Sequence, residues 1–170
     1  MTIAMQPIYT QTVGSGGATS VTFNSIPQGF TDLKIVTSLR STGANGTLLV
    51  HFNGDTTNTN YSMTQLYGIG YGGGASARYS APYFTNSNLS SYTSNTFSNG
   101  EIYVANYTAA NFKQIMTDSS NENNATAAES WLLAGLWRNT AAITSIRLSQ
   151  AIDTGFTEYS TFTLYGITKG

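Results

Sequence analysis

Along most of the chain apolar and polar residues alternate one for one, the period of a strand that buries one face. The clearest case is the run from Leu33 to Arg40. Leu33, Ile35, Thr37 and Leu39 fall on one face, Lys34, Ser38 and Arg40 on the other, and Val36 is the one exception. The same reading predicts strands in PIYTQTV (7–13), TSVTF (19–23), TLLVHFN (47–53), EIYVANY (101–107), FKQIMTD (112–118), SWLLAGLW (130–137), ITSIRLS (143–149) and STFTLYGI (160–167). Between the first two, GSGG (14–17) is a flexible turn, and the pair reads as a hairpin. In the closing strand Phe162, Leu164 and Ile167 are core candidates, with Thr161, Thr163 and Tyr165 opposite and Gly166 relaxing the pattern. A last strand of this quality is expected to pair centrally and to anchor both ends of the chain in one sheet.

Helix formers are scarce relative to Thr, Gly, Asn and aromatic residues. The best helical candidate is ATAAESWLLAGLW (125–137), and its second half reads better as sheet. Short strands separated by Gly, Asn and Ser turns predict an all-β fold, an antiparallel β-sandwich of jelly-roll type, as a single domain over residues 1–170. Residues 53–99 depart from this pattern. Gly, Ser, Asn and Tyr dominate there and alternation is weak, so the stretch reads as a Gly/Tyr/Asn-rich loop excursion that either covers a sheet or contacts another protein or a sugar. NENNATAA (121–128) is a second polar loop.

Composition narrows the function. Only 9% of residues are charged, whereas 26 Thr, 19 Ser and 15 Asn together fill 60 of 170 positions. With seven basic and eight acidic residues scattered singly, no field exists to attract nucleic acid or an anionic membrane. The chain has no cysteine, which excludes disulfides and thiolate chemistry. Its first residues lack a basic and apolar leader, and no apolar run approaches the roughly 18 residues of a membrane span. The expectation is a protein made soluble in a cytoplasm.

The candidates for chemistry are few. His51 is the one histidine, sits inside a predicted strand and has no GxSxG elbow beside it, so a structural role is expected. The eight carboxylates form no close pair of the kind a glycosidase uses. FNGDTTNTN (52–60) places oxygen ligands loosely like a calcium loop but lacks its order and its closing Glu, and it reads as a turn. GIGYGGG (68–74) has no following helix to hold a phosphate. No cofactor or metal is expected, and no enzymatic activity.

Several spaced pieces, SIPQGFTDLKIVTSLRS (25–41), HFNGDTTNTNYS (51–62), IYVANY (102–107), AAITSIRLS (141–149) and FTEYSTFTLYGI (156–167), together resemble a family of virion structural proteins of tailed bacteriophages, notably those of cyanobacteria and aquatic bacteria. The resemblance spares mainly residues 68–99 and carries no catalytic signature. It implies an all-β particle component in the virion, assembled in the host cytoplasm. Within such particles it implies a capsid decoration protein, a symmetric oligomer, by analogy a trimer, bound to the major capsid protein and other virion proteins. Many weak copies would then bridge shell subunits by avidity. Tyr67, Tyr71, Arg78, Tyr79, Tyr83 and Phe84 are the expected interface residues, because tyrosine and arginine dominate binding hot spots. MTIAMQPIY (1–9) is either a second contact arm or a plain first strand. The alternatives are a tail or tail-fibre component whose tyrosine-rich loops bind host glycans, and a free carbohydrate-binding module or glycosidase.

Overall fold

A computed structural model describes residues 4–70, 72–124, 128–152 and 154–168. Twelve strands form two antiparallel sheets: β1 (Ala4–Thr12), β2 (Ser20–Phe23), β3 (Asp32–Leu39), β4 (Thr47–Phe52), β5 (Tyr61–Ile69), β6 (Gly72–Tyr79), β7 (Tyr83–Asn86), β8 (Ser98–Val104), β9 (Lys113–Glu122), β10 (Ala128–Trp137), β11 (Ile146–Gln150) and β12 (Thr161–Thr168). The larger sheet has the order β1-β12-β3-β8-β9-β10-β5-β6 and the smaller β2-β11-β4-β7. From β2 onward the chain repeatedly crosses between the sheets. The order β2-β11-β4-β7 facing β3-(β8-β9-β10)-β5-β6 is a jelly roll in which one strand position has become a three-stranded meander. β12 and β1 extend the large sheet beyond β3.

The core is where alternation is cleanest. Leu33, Ile35 and Leu39 of β3, Phe162 and Leu164 of β12, and Ile102 and Val104 of β8 meet Leu48, Val50 and Phe52 of β4 and Ile146 and Leu148 of β11. All are essentially fully buried, and each such side chain contributes roughly 1.5–3 kcal/mol against exposure. Toward residues 88–97 the interior turns polar, through Thr37, Ser87, Ser98, Asn121 and Gln150. There Gln150 Nε2 donates to Ser87 Oγ at 2.8 Å and Asn121 Nδ2 to the Ser87 carbonyl at 3.2 Å.

β12 lies between β1 and β3, so both ends of the chain are held in one sheet, as expected. Ile167 does not join the core. It alternates to the outer face opposite Asp32, and Gly166 takes the inner position, where the Phe30 ring covers it so closely that a Cβ would lie 2.4 Å from ring atoms. The expected hairpin of residues 7–23 does not form. β1 pairs with β12 in the large sheet and β2 with β11 in the small one, and after the glycine turn Ala18 bonds Phe156 instead. The reason is burial: β1 is exposed along almost its whole length, whereas Val21 and Phe23 of β2 must reach the core. Tyr9 stacks on Phe23 at 5.8 Å, and residues 4–9 are a paired first strand rather than a free arm. Residues 125–127 lie outside the described residues, and 128–137 are strand, not helix.

The largest departure is residues 53–99. In place of a loop excursion they contain β5, β6 and β7, with a 3-10 turn at Asn58–Asn60. A true loop follows only at residues 87–97. Arg40, nearly buried, holds it by donating from Nη1 to the carbonyls of Thr93 (2.8 Å) and Thr96 (3.0 Å) and from Nη2 to those of Tyr92 (2.8 Å) and Ser90 (3.1 Å).

Candidate functional site

β7 is the outer strand of the small sheet and stacks across the sandwich on β8, β9 and β10. β5 and β6 therefore overhang it. Inner-face residues of β5, β6 and the first half of β10 look into a groove instead of a core. The groove, about 360 Å³, runs between the overhang and β7, and a second hollow of about 210 Å³ continues it past Trp131 toward Leu89 and Tyr92.

Aromatic rings set its shape. Tyr67 and Trp131 are cross-strand partners and stack with centroids 4.4 Å apart and planes 17° apart. Tyr79 and Tyr83 meet edge to face at 6.0 Å across the mouth, joining the overhang to β7. Trp131 is held from behind: its Nε1 donates to Glu129 Oε2 at 2.9 Å, while the Tyr92 hydroxyl donates to Oε1 at 3.4 Å. Polar lining comes from amides and hydroxyls, notably Asn45, Gln65, Asn86 and Thr47. Gln65 is only 9% exposed and lines the groove with its side chain. Among the described residues no Lys, Arg, Asp or Glu lines the main groove. At the rim Ile152 is 73% exposed with φ +62°, a left-handed conformation that a β-branched residue adopts only under constraint.

The opposite, outer face of the same strands is different. Leu66 and Leu132 are register partners on β5 and β10, 58% and 50% exposed, and Met116 on β9 is 58% exposed beside Ala134. They border two shallow hollows of about 480 and 580 Å³. Arg78 stands at the β6 edge, and on the other side Lys34 pairs with Glu101 at 2.8 Å.

The expected interface residues thus separate. Tyr67, Tyr79 and Tyr83 line or flank the groove, and Arg78 lies on the outer face. Tyr71 lies outside the described residues. Phe84 is a correction: it is fully buried, and its ring packs so tightly on Gly135 that a Cβ there would lie 2.2 Å away, so it belongs to the core and offers no surface. Sequence reasoning missed Trp131 and Gln65. Trp131 stood in a run that read as core, and one glutamine on a β-strand gives no signal.

Several other ionisable groups help hold the fold together. His51 is buried edge-on to Tyr61 at 6.1 Å; desolvation, then the facing Arg147 guanidinium, lowers its pKa. For Asp55, burial alone would raise the pKa. Hydrogen bonds from Trp137 Nε1 (2.8 Å), Asn60 (2.9 Å) and the Thr57 amide (3.0 Å) outweigh it and hold the carboxyl below its usual range. The stretch weighed as a calcium loop is therefore a turn closed by its own carboxylate. Lys113, fully buried, donates from Nζ to the carbonyls of Ala109 (2.8 Å) and Asn111 (2.6 Å), and desolvation lowers its pKa. Among the described residues no three His, Asp or Glu side chains gather to hold a metal.

In comparisons with known proteins, no family model matches the chain, and no curated protein and no solved structure matches it.

Proposed function

We propose that the chain is a non-enzymatic structural protein of a tailed-phage virion, a capsid decoration protein that binds the outer shell and bridges its subunits as a homo-oligomer. The observation that carries this reading is the outer face of β9, β10 and β5. On a chain with 9% charged residues, Leu66, Leu132 and Met116 are exposed together on this face, with the acidic Asp118 beside Leu132 and Glu101, Lys34 and Arg78 farther out. Large apolar side chains exposed together, interleaved with a few polar and charged ones, mark a protein-docking patch. The resemblance of the strand sequences to virion structural proteins supplies the kind of partner, the major capsid protein. Asp32, Asp55, Glu101, Glu122 and Glu129 are engaged in hydrogen bonds or an ion pair that hold strands, turns and rings, and His51 packs on Tyr61.

The measurement that tests it is the copy number of this chain per purified particle, by quantitative mass spectrometry against the major capsid protein. A ratio comparable to the shell protein is expected. Particles assembled with Leu66→Ser/Leu132→Ser should lose most of the chain, since loss of such anchors costs binding on the order of 2 kcal/mol or more. A second reading, a tail or tail-fibre component with a receptor-binding role, is favoured by the aromatic groove. It predicts a handful of copies instead.

A further inference from the structure

The groove between β7 and the overhanging β5–β6 hairpin is built unlike the docking face behind it, and its occupant need not be a protein. We propose that it binds a neutral glycan. Three observations lead there. First, the walls carry aromatic rings whose orientation is fixed: Trp131 is tied to Glu129 at 2.9 Å and stacked on Tyr67, and Tyr79 is braced against Tyr83. Fixed aromatic faces suit the apolar C–H faces of pyranose rings and lose little conformational entropy on binding. Second, the polar lining is amide and hydroxyl. An amide offers one acceptor and two donors side by side, which matches a pair of neighbouring sugar hydroxyls, each both donor and acceptor. Gln65 supplies such an amide at the centre of the lining. Its side chain lines the groove from a mostly buried position, which holds the amide in place for a ligand hydroxyl. Third, among the described residues no Lys or Arg lines the main groove, so an anionic sugar or a nucleic acid finds no counter-charge there. Stacked bases would need a basic track for their phosphates.

The two hollows meet at Trp131, one face of which Tyr67 covers, so sugar residues have room in both hollows along its remaining surface. A linear oligosaccharide can then run from the Tyr79–Tyr83 mouth toward Tyr92. This site is independent of the shell-docking proposal, because inner and outer faces of the same strands carry the two.

The test is a printed array of neutral and sialylated glycans probed with the full chain, followed by titration of the best hit by tryptophan fluorescence. Trp137 is fully buried, so a saturable change reports Trp131. Neutral glycans are expected to bind, and Tyr79→Ala and Gln65→Leu each to weaken binding about tenfold or more. Tyr79 is 45% exposed on an edge strand, so its truncation tests the groove even if the Gln65 variant folds poorly. Leu132→Ser, on the outer face, should bind glycan as the parent does while losing the particle, which separates this proposal from the previous one. Binding to no glycan, to sialylated glycans only, or with full strength by Tyr79→Ala overturns the inference. Capture of decaproline with the same dependence on Tyr79 would reassign the groove to proline-rich peptides.

Discussion

Several titratable residues of this protein act as fasteners, and His51 shows the consequence most directly. Its imidazole is buried against the Tyr61 ring, and the strand register sets it opposite Arg147, so desolvation first and the guanidinium second lower its pKa. A histidine whose folded pKa lies below its unfolded value near 6.5 takes up its proton more readily when the chain unfolds. Its contribution is present above that pH and is lost as pH falls through the folded pKa. The urea midpoint is therefore expected to fall between about pH 7 and pH 5, and His51→Gln should lose most of that slope while changing little at neutral pH. A slope of equal size in the variant would show that other groups carry it. Asp55 acts with the same sign at lower pH. Its depressed carboxyl supports the 52–61 turn and the Trp137 indole above its ordinary pKa, and that support is withdrawn only in strong acid.

Among the elements, the loop at residues 87–97 depends most on one side chain from elsewhere. Arg40 follows β3 and spends its fork on four backbone carbonyls of that loop, which in turn holds Tyr92 against Glu129 and so backs Trp131. A lysine cannot reproduce that fork. Arg40→Lys should lower stability by roughly 1–3 kcal/mol and open residues 90–96 to limited proteolysis. Uncut protein under conditions that spare the parent would refute the role given to Arg40. The loop also shows what was legible in the sequence. β3, β4, β8, β9, β11 and β12 announced themselves because one face is buried and the other is not, which is what writes a period of two into a sequence. β5, β6 and β7 were hidden for physical reasons. β6 is exposed on both faces, so nothing selects alternation; the outer half of β5 overhangs the small sheet; and in β7 a bulge beside Leu48 and Leu49 turns both Phe84 and Thr85 inward. The groove was half legible for the same reason. Tyr67, Tyr79 and Tyr83 stood out in a glycine-rich background, while Trp131 was indistinguishable from a core residue and Phe84 from a surface tyrosine's neighbour.

At the scale of the molecule, the large sheet ends in two open edges that differ in how they resist pairing. β1 carries Pro7 and a register shift between Pro7 and Tyr9, and both blunt an edge. β6, with the sequence GGGASARY, has no proline and Arg78 as its one charge, and its outward side offers unpaired backbone groups to another strand. An edge left open in this way is where a homo-oligomer of this chain is expected to form, by extension of the sheet from one copy to the next or around a symmetry axis. Such pairing would carry the apolar faces of neighbouring copies side by side, giving the avidity a decoration protein needs from weak contacts. Lysines at Gly73 and Ser76 place charge on that edge without touching the core, since both positions are exposed. Sedimentation velocity at micromolar concentration should show an oligomer for the parent and a monomer for Gly73→Lys/Ser76→Lys, with thermal stability of the monomer close to its parent's. If the double variant retains the parent's oligomer, assembly uses another surface. If the parent itself is monomeric in solution, the shell must supply the symmetry that the free protein lacks.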